Sequence, residues 1–380
     1  MRVERKMEEF IYRPDERAMK LRAVRKAKEM LALAEDGERY QPVLTSAKGH
    51  LGKLYLYVTF DCPLRCPFCY AEGGERKTDV LSADRLAEIC REAVALAFRE
   101  ITLVGGEPLV YKEFDALAEA LRKMDRKGTK LTLRTSFGFP VKEERLRLIT
   151  DTFDLITVSI DGDEERHDSI RGKGVYQKAL KNIRYCKERQ KAEISICSVM
   201  DRADFEGPQG QAVIRLCEEL KIDHLTVQSA VPLGRGLCEK NRTAQRYVWK
   251  KQAGSFPPAS VFPMFSCGLG NNVYMEPDGK AFPCYAWCEP EHQIGDLSRE
   301  SLSEVTESRE LLNCLNHGVD TNKKCRSCKV RYLCGGMCKL WVDDKHDIDS
   351  GDFDCSRRQT ELLEQAAKFD EWEKKLSDRN

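Results

Sequence analysis

The sequence predicts an α/β protein: a partial (β/α)6 barrel of the TIM type, followed by a small, irregular, cysteine-rich domain built on a β-hairpin. Three observations carry that reading. From Leu54 onward, six short β-type runs alternate with amphipathic helical stretches, which implies a parallel sheet, and a sheet of this size curls into a partial barrel. The chain's most unusual loops fall directly after the predicted strands, where barrels collect function. Beyond residue 263 the alternation stops and cysteines crowd around a Pro-Asp-Gly turn.

Residues 1–50 are highly charged, read as helix from Asp15 to Glu35, and form an arm expected to pack on the main domain. Within the barrel (51–232), strands are predicted near 54–60, 100–104, 130–134, 155–160, 193–199 and 225–229. Helices are predicted near 82–98, 112–127, 142–150, 175–189 and 209–220. In the first, Leu86, Ile89, Cys90, Ala93, Val94 and Ala97 recur at helical spacing, and Ser82 stands at the N-cap. Residues 233–262 read as a connector, with Gly234-Arg-Gly236 and Pro257-Pro258. In the second domain (263–356), Val273–Glu276 and Lys280–Phe282 are joined by Pro277-Asp-Gly279, a strong turn signal that returns Cys284 toward Cys267. The charge-rich segment 357–380 is expected to be a solvated helix.

The net charge of +1 gives no field for nucleic acid or an anionic membrane, so neither is expected as a partner. The N-terminus lacks the apolar core of a signal peptide, and no apolar run approaches bilayer length, so the expected location is the cytoplasm. Seventeen cysteines, an odd number with tight spacings, point to metal rather than to a disulfide framework.

Cys62, Cys66 and Cys69 sit in one loop after the first strand, close enough to wrap one soft metal centre. On a four-iron cubane they leave one iron open. A zinc knuckle or three buried thiols are the alternatives. Gly105-Gly106-Glu107-Pro108 follows the second strand and reads as a close-approach loop with a carboxylate able to receive an ammonium. Arg134-Thr135-Ser136 ends the third strand, and Ser159-Ile-Asp161-Gly162 ends the fourth. Further on stand Cys267, Cys284, Cys325, Cys328, Cys334, Cys338 and Cys355, with Gly335-Gly336 permitting a tight turn. Zinc is an open alternative for this set as well.

The triad, with Phe68 before its last cysteine, resembles the signature of the radical SAM enzymes. In that family the open iron binds S-adenosylmethionine, whose reductive cleavage yields methionine and a 5′-deoxyadenosyl radical. By the same resemblance Gly105, Gly106, Glu107 and Pro108 hold the methionine amine, and Ser159 contacts its carboxylate within the Ser-x-Asp-Gly that includes Asp161. His167-Asp168-Ser-Ile-Arg171-Gly172 continues the likeness, while Thr135-Ser136-Phe137 departs from the usual Thr-Asn-Gly. The later cysteines match the motif of SPASM domains, which carry two auxiliary iron–sulfur clusters. The resemblance implies three [4Fe–4S] clusters: Cys267, Cys284 and Cys338 for the first auxiliary one, and Cys325, Cys328, Cys334 and Cys355 for the second. Val273 stands where some members have a fourth ligand to the first, and Cys288 is the candidate replacement. Cys90, Cys186, Cys197 and Cys217 are expected to pack in the core, and Cys238 and Cys314 have no assigned role.

The resemblance therefore implies modification of a ribosomally made peptide, through a thioether or a carbon–carbon crosslink. Recognition of the precursor would fall to a separate leader-recognition protein or the barrel rim, and electrons would come from a donor such as flavodoxin or ferredoxin. Three alternatives stand beside it: maturation of a small-molecule or peptide-derived cofactor, a formylglycine-forming sulfatase maturase, and a non-catalytic iron–sulfur carrier or sensor. Sulfatase maturases carry an aspartate after the second SPASM cysteine, whereas Tyr285 follows Cys284.

Overall fold

The computed structural model describes residues 16–35, 37, 39–41, 43–75, 80–222, 224–237, 265–336 and 355–377. Cys238, Cys338 and most of the expected connector lie outside them. The chain divides into two compact units. One holds the described residues of Lys48–Trp249 and Asn271–Ser308, the other those of Met1–Ala47, Lys250–Gly270 and Arg309–Asn380.

The first unit is built on one sheet of nine strands: β1 (Lys53–Tyr57), β2 (Glu100–Val104), β3 (Lys130–Thr135), β4 (Leu155–Ser159), β5 (Glu193–Val199), β6 (His224–Gln228), β7 (Val273–Met275), β8 (Lys280–Phe282) and β9 (Gly295–Asp296). Their order is β6-β5-β4-β3-β2-β1-β7-β8-β9. β1 to β6 run parallel in sequence order, as βα repeats require, and β6 and β9 form the two edges, so the barrel is partial. Helices Ala83–Ala95, Phe114–Lys123, Glu143–Thr152, Val175–Arg189 and Pro208–Leu220 lie between strands, matching the five sequence expectations. Ser82 accepts the Arg85 N–H at 3.3 Å, and Leu86, Ile89, Cys90, Ala93 and Val94 are buried. Helix Glu164–Arg171 was not expected, because His167 is its one buried residue and no apolar period marks it.

The Pro277-Asp278-Gly279 turn forms as expected, with Gly279 at φ +99° and its N–H on Glu276 O at 2.9 Å. Its place differs from the linear partition. β7 runs parallel to β1, with Leu54↔Val273 and Leu56↔Met275, so residues 271–308 belong with the barrel and not with the rest of 263–356. Val273 is fully buried in that strand.

In the second unit, Val24, Ala27, Met30 and Ala34 of helix Glu16–Glu35 share a core with Val330, Tyr332, Leu362 and Phe369. The expected single solvated C-terminal helix is instead two helices, Cys355–Ala366 and Phe369–Ser377, whose Leu362 and Phe369 are buried. Charge density hid their apolar face. Asp320 is buried here, accepting from Tyr332 Oη at 2.8 Å, Arg331 Nε at 3.2 Å and the Gln41 N–H at 2.8 Å.

Candidate active site

A pocket opens at the C-terminal ends of β1–β6. Cys62, Cys66, Phe68 and Cys69 line it, together with Gly105, Gly106, Arg134, Thr135, Ser136, Ser159 and Arg171. Strand alternation explains the β3 contribution: Leu131 and Leu133 are buried on one face, while Arg134 turns to the other.

The cysteine loop is pinned to the exit of β1. Cys62 N–H donates to Gly74 O and Gly74 N–H to Phe60 O, both at 3.0 Å. Each sulfur faces an N–H: Leu64 N to Cys62 Sγ at 3.4 Å, Gly73 N to Cys69 Sγ at 3.4 Å, and Arg171 Nη1 to Cys66 Sγ at 3.9 Å. Such donors stabilise thiolates. Burial pushes the Cys62 thiol up to about 12 and Cys66 upward too, with Arg171 opposing the latter, so metal must displace the protons. Among the described residues, no three His, Cys, Asp or Glu side chains converge as on a single metal ion. A cubane takes one thiolate per iron and needs no such convergence.

The two glycines line the pocket and also lie tight against their own chain. A Cβ at Gly105 would stand 2.2 Å from Thr59 O, and at Gly106 2.4 Å from Phe60 O, so both positions require glycine for the loop's own packing. Glu107 is buried and accepts from Thr135 Oγ1 (2.7 Å) and Leu109 N (3.3 Å) on Oε1, and from Ser136 N (2.8 Å) and Oγ (2.7 Å) on Oε2. Burial raises its pKa, and these four donors work against that rise. It anchors Thr135 and Ser136 on the pocket wall. Pro108 opens the turn Pro108–Val110 and is buried.

Ser159 lines the pocket directly. Asp161 is fully buried behind it, accepting from Arg171 Nε at 2.6 Å and Val199 N at 2.7 Å. Burial opposes the charge on Arg171, but Asp161 and the Cys66 sulfur outweigh it and raise its pKa. The guanidinium lies 5.6 Å from the Phe68 ring centroid.

Two residues escaped the sequence reading. Cys197, expected in the core, lines the pocket. Arg235, in the expected connector, donates from Nε to Cys66 O at 2.9 Å and from Nη1 to Gly73 O at 3.0 Å. Its flanking glycines were the available signal: a Cβ at Gly234 would meet Tyr70 O at 2.5 Å, and one at Gly236 would meet Val231 O at 2.4 Å.

Of the later cysteines, Cys325, Cys328, Cys334 and Cys355 all belong to the second unit. The first three pack against its core, and Gln359 Nε2 donates to Cys328 Sγ at 3.3 Å. Gly335 and Gly336 take φ +69° and +78°, the tight turn expected of them. Cys267 lies in the same unit, Cys284 and Cys288 lie in the barrel unit, and Cys338 is outside the described residues. The Cys288 thiol donates to Cys284 O at 3.5 Å, and burial raises its pKa. Cys90, Cys186 and Cys217 are buried, as expected.

Comparison with known proteins agrees with this chemistry. The family model of the radical SAM superfamily matches residues 56–202, and that of the SPASM iron–sulfur cluster-binding domain matches residues 267–329. The serine-type anaerobic sulfatase-maturating enzyme of Klebsiella aerogenes is 23% identical over 73% of this chain and 76% of its own length. The sporulation killing factor maturation protein SkfB of Bacillus subtilis is 26% identical over 43% of this chain and 38% of its own. Among solved structures, Streptococcus suis SuiB bound to precursor peptide SuiA superposes with a TM-score of 0.64 at 19% identity, covering 81% of this chain and 77% of that one. Native anSMEcpe with bound AdoMet gives 0.63 at 18% identity, covering 86% and 99%. The chain belongs to the radical SAM superfamily and carries a SPASM iron–sulfur cluster-binding domain.

Proposed function

We propose that this enzyme binds S-adenosylmethionine in the pocket at the strand ends and uses it to modify a ribosomally made peptide, forming a thioether or carbon–carbon crosslink. The observation that carries the reading is the convergence of the three thiols, Ser159 and Arg171 on one pocket. With a [4Fe–4S] cluster on Cys62, Cys66 and Cys69, the bound S-adenosylmethionine supplies a 5′-deoxyadenosyl radical. Ser159 and Arg171 offer a hydroxyl and a cation to the methionine carboxylate, with Asp161 holding Arg171 in place. Gly105, Gly106 and Pro108 shape the wall assigned to the amine, and Glu107 fixes its neighbouring strand exit. Cys325, Cys328, Cys334 and Cys355 would hold one auxiliary cluster, and Cys267, Cys284 and Cys338 the other, with Cys288 as candidate fourth ligand. SuiB, solved with a precursor peptide, supports the peptide reading by its shared fold. A flavodoxin- or ferredoxin-type donor, a separate leader-recognition protein and a cytoplasmic setting complete the proposal. Among the described residues, no helix is long and apolar enough to cross a membrane.

The sulfatase-maturase reading draws on the long match to the Klebsiella enzyme. Against it stands Tyr285, whose ring packs 5.6 Å from Tyr70 and 5.8 Å from Tyr274 and offers no carboxylate base. The test is anaerobic reconstitution followed by S-adenosylmethionine and dithionite. Release of 5′-deoxyadenosine is expected, and its absence would overturn the enzymatic reading. With a short precursor peptide supplied as substrate, a crosslink that blocks tandem-mass fragmentation supports the proposal. A hydrazide-reactive aldehyde would support the maturase instead.

A further inference from the structure

Three arginines line the pocket, and two are engaged by the protein itself. Arg171 is paired with Asp161, and Arg235 donates to the carbonyls of Cys66 and Gly73. Arg134 is different. It stands at the end of β3 across from Thr157, is exposed to the pocket, and lies 5.8 Å over the Tyr55 ring, which itself stacks on Tyr274 at 4.5 Å. No hydrogen bond or ion pair holds its guanidinium among the described residues, and no aspartate or glutamate is among the residues lining the pocket. A guanidinium stays charged at any physiological pH, so the pocket carries a standing positive charge without an acid to meet it. A second group there lacks a partner. Ser229, just past β6, is only 6% exposed, and its hydroxyl finds no hydrogen-bond partner among the described residues. A buried polar group left unpaired costs free energy until a ligand satisfies it.

We infer that Arg134, assisted by Ser229, is a substrate-positioning subsite for a carboxylate of the peptide. This rests on the proposed function, which leaves Ser159 and Arg171 to the carboxylate of S-adenosylmethionine. A carboxylate suits both groups: it accepts the planar fork of a guanidinium and the single donor of a hydroxyl. The Tyr55 ring, stacked on Tyr274, lies 5.8 Å from the guanidinium carbon and offers it a cation–π contact that uses none of its N–H donors. The enzyme would therefore prefer peptides with an aspartate, a glutamate or a free C-terminus beside the modified residue.

The test uses reconstituted, immobilised full-length protein with S-adenosylmethionine, exposed to a pool of short randomised peptides prepared both as C-terminal acids and as C-terminal amides. Wild type is expected to enrich acidic sequences about tenfold, the scale of one charge-assisted hydrogen bond. Enrichment of acidic sequences in both pools assigns the subsite to side chains, and retention of the acid pool over the amide pool assigns it to the terminus. Either supports the inference. Arg134→Lys should retain most of the preference, Arg134→Gln should lose it, and Arg134→Glu should turn it toward lysine and arginine. Ser229→Ala should weaken it by about threefold. Matching melting temperatures check that the variants fold. A preference for acidic side chains or free C-termini that persists in Arg134→Glu, or a wild type with neither preference, overturns the inference while leaving S-adenosylmethionine binding intact. A tenfold loss of S-adenosylmethionine affinity in Arg134→Gln also overturns it, because the arginine would then serve the cosubstrate. A wild type that binds no S-adenosylmethionine overturns the proposed function, and the subsite with it.

Discussion

Glu107 shows how a motif residue acts through its neighbours. Each of its carboxylate oxygens accepts one backbone N–H, from Leu109 on Oε1 and from Ser136 on Oε2. In Glu107→Gln, either orientation of the amide sets an NH2 against one of those N–H groups. The variant should lose roughly 1–3 kcal/mol, read by thermal unfolding, and unchanged stability would show that the strand exit does not need the carboxylate. His167 makes a pH prediction. Its Nδ1 accepts the Asp161 N–H at 3.1 Å, its other nitrogen has no partner among the described residues, and burial, with the nearby Arg171 charge, lowers its pKa from 6.5 to about 4. Between those values the unfolded chain binds the proton and the native one does not, so stability falls as pH falls through that window, by at most about 3 kcal/mol. His167→Asn should be weaker at neutral pH but show a shallower acid slope in urea titrations; an unchanged slope would remove His167 as the cause. At this scale the motif residues were legible from sequence, whereas Cys197 was expected in the core and Arg134 was placed at its strand end without a role of its own. Both sit in strands whose alternation is plain, but alternation alone does not say which face is the lumen.

At the scale of elements, the strand and helix positions of the barrel could be read within a few residues because apolar period and strand length agree there. The unread pieces were short or polar, such as Glu164–Arg171 and the 3₁₀ turn Gly234–Gly236. That turn matters because Arg235 ties two carbonyls of the cysteine loop, and its own N–H donates to Cys69 O at 3.1 Å. Arg235→Ala leaves all thiols in place but frees the loop. Its iron content after reconstitution should fall by about one cluster's worth, with the melting of the barrel shifted little. Full iron retention would reduce Arg235 to a surface clamp. Alanine at Cys62, Cys66 and Cys69 together tests the other side of the same element. On the proposed assignment of three [4Fe–4S] clusters, that variant should release no 5′-deoxyadenosine while keeping about two-thirds of the iron, because the remaining motif cysteines lie on a separate stretch. Continued release would mean that the radical chemistry sits elsewhere.

At the scale of the whole molecule, the linear order of segments misled where packing is non-local. The hairpin β7–β8 joins the barrel because β7 finds the open side of β1, and the first described helix joins the last two because their apolar stripes complement one another. Local pattern shows that a face is apolar but not what it will cover. The second unit therefore draws its core from both ends of the described chain, around the same segment that carries Cys325, Cys328 and Cys334. Folding and cluster binding should be coupled there. Phe369 separates this coupling from ligand chemistry, since it is 4% exposed and carries no metal-binding atom. Phe369→Ala opens a cavity and should cost about 3–5 kcal/mol. The expected result is loss of iron from the C-terminal clusters and earlier proteolytic cleavage within Glu16–Glu35, with cleavage of S-adenosylmethionine by the Cys62–Cys69 loop retained. If the variant keeps its full iron complement while the helix Glu16–Glu35 is cut faster, the clusters hold their segment without help from the shared core, and the coupling is absent.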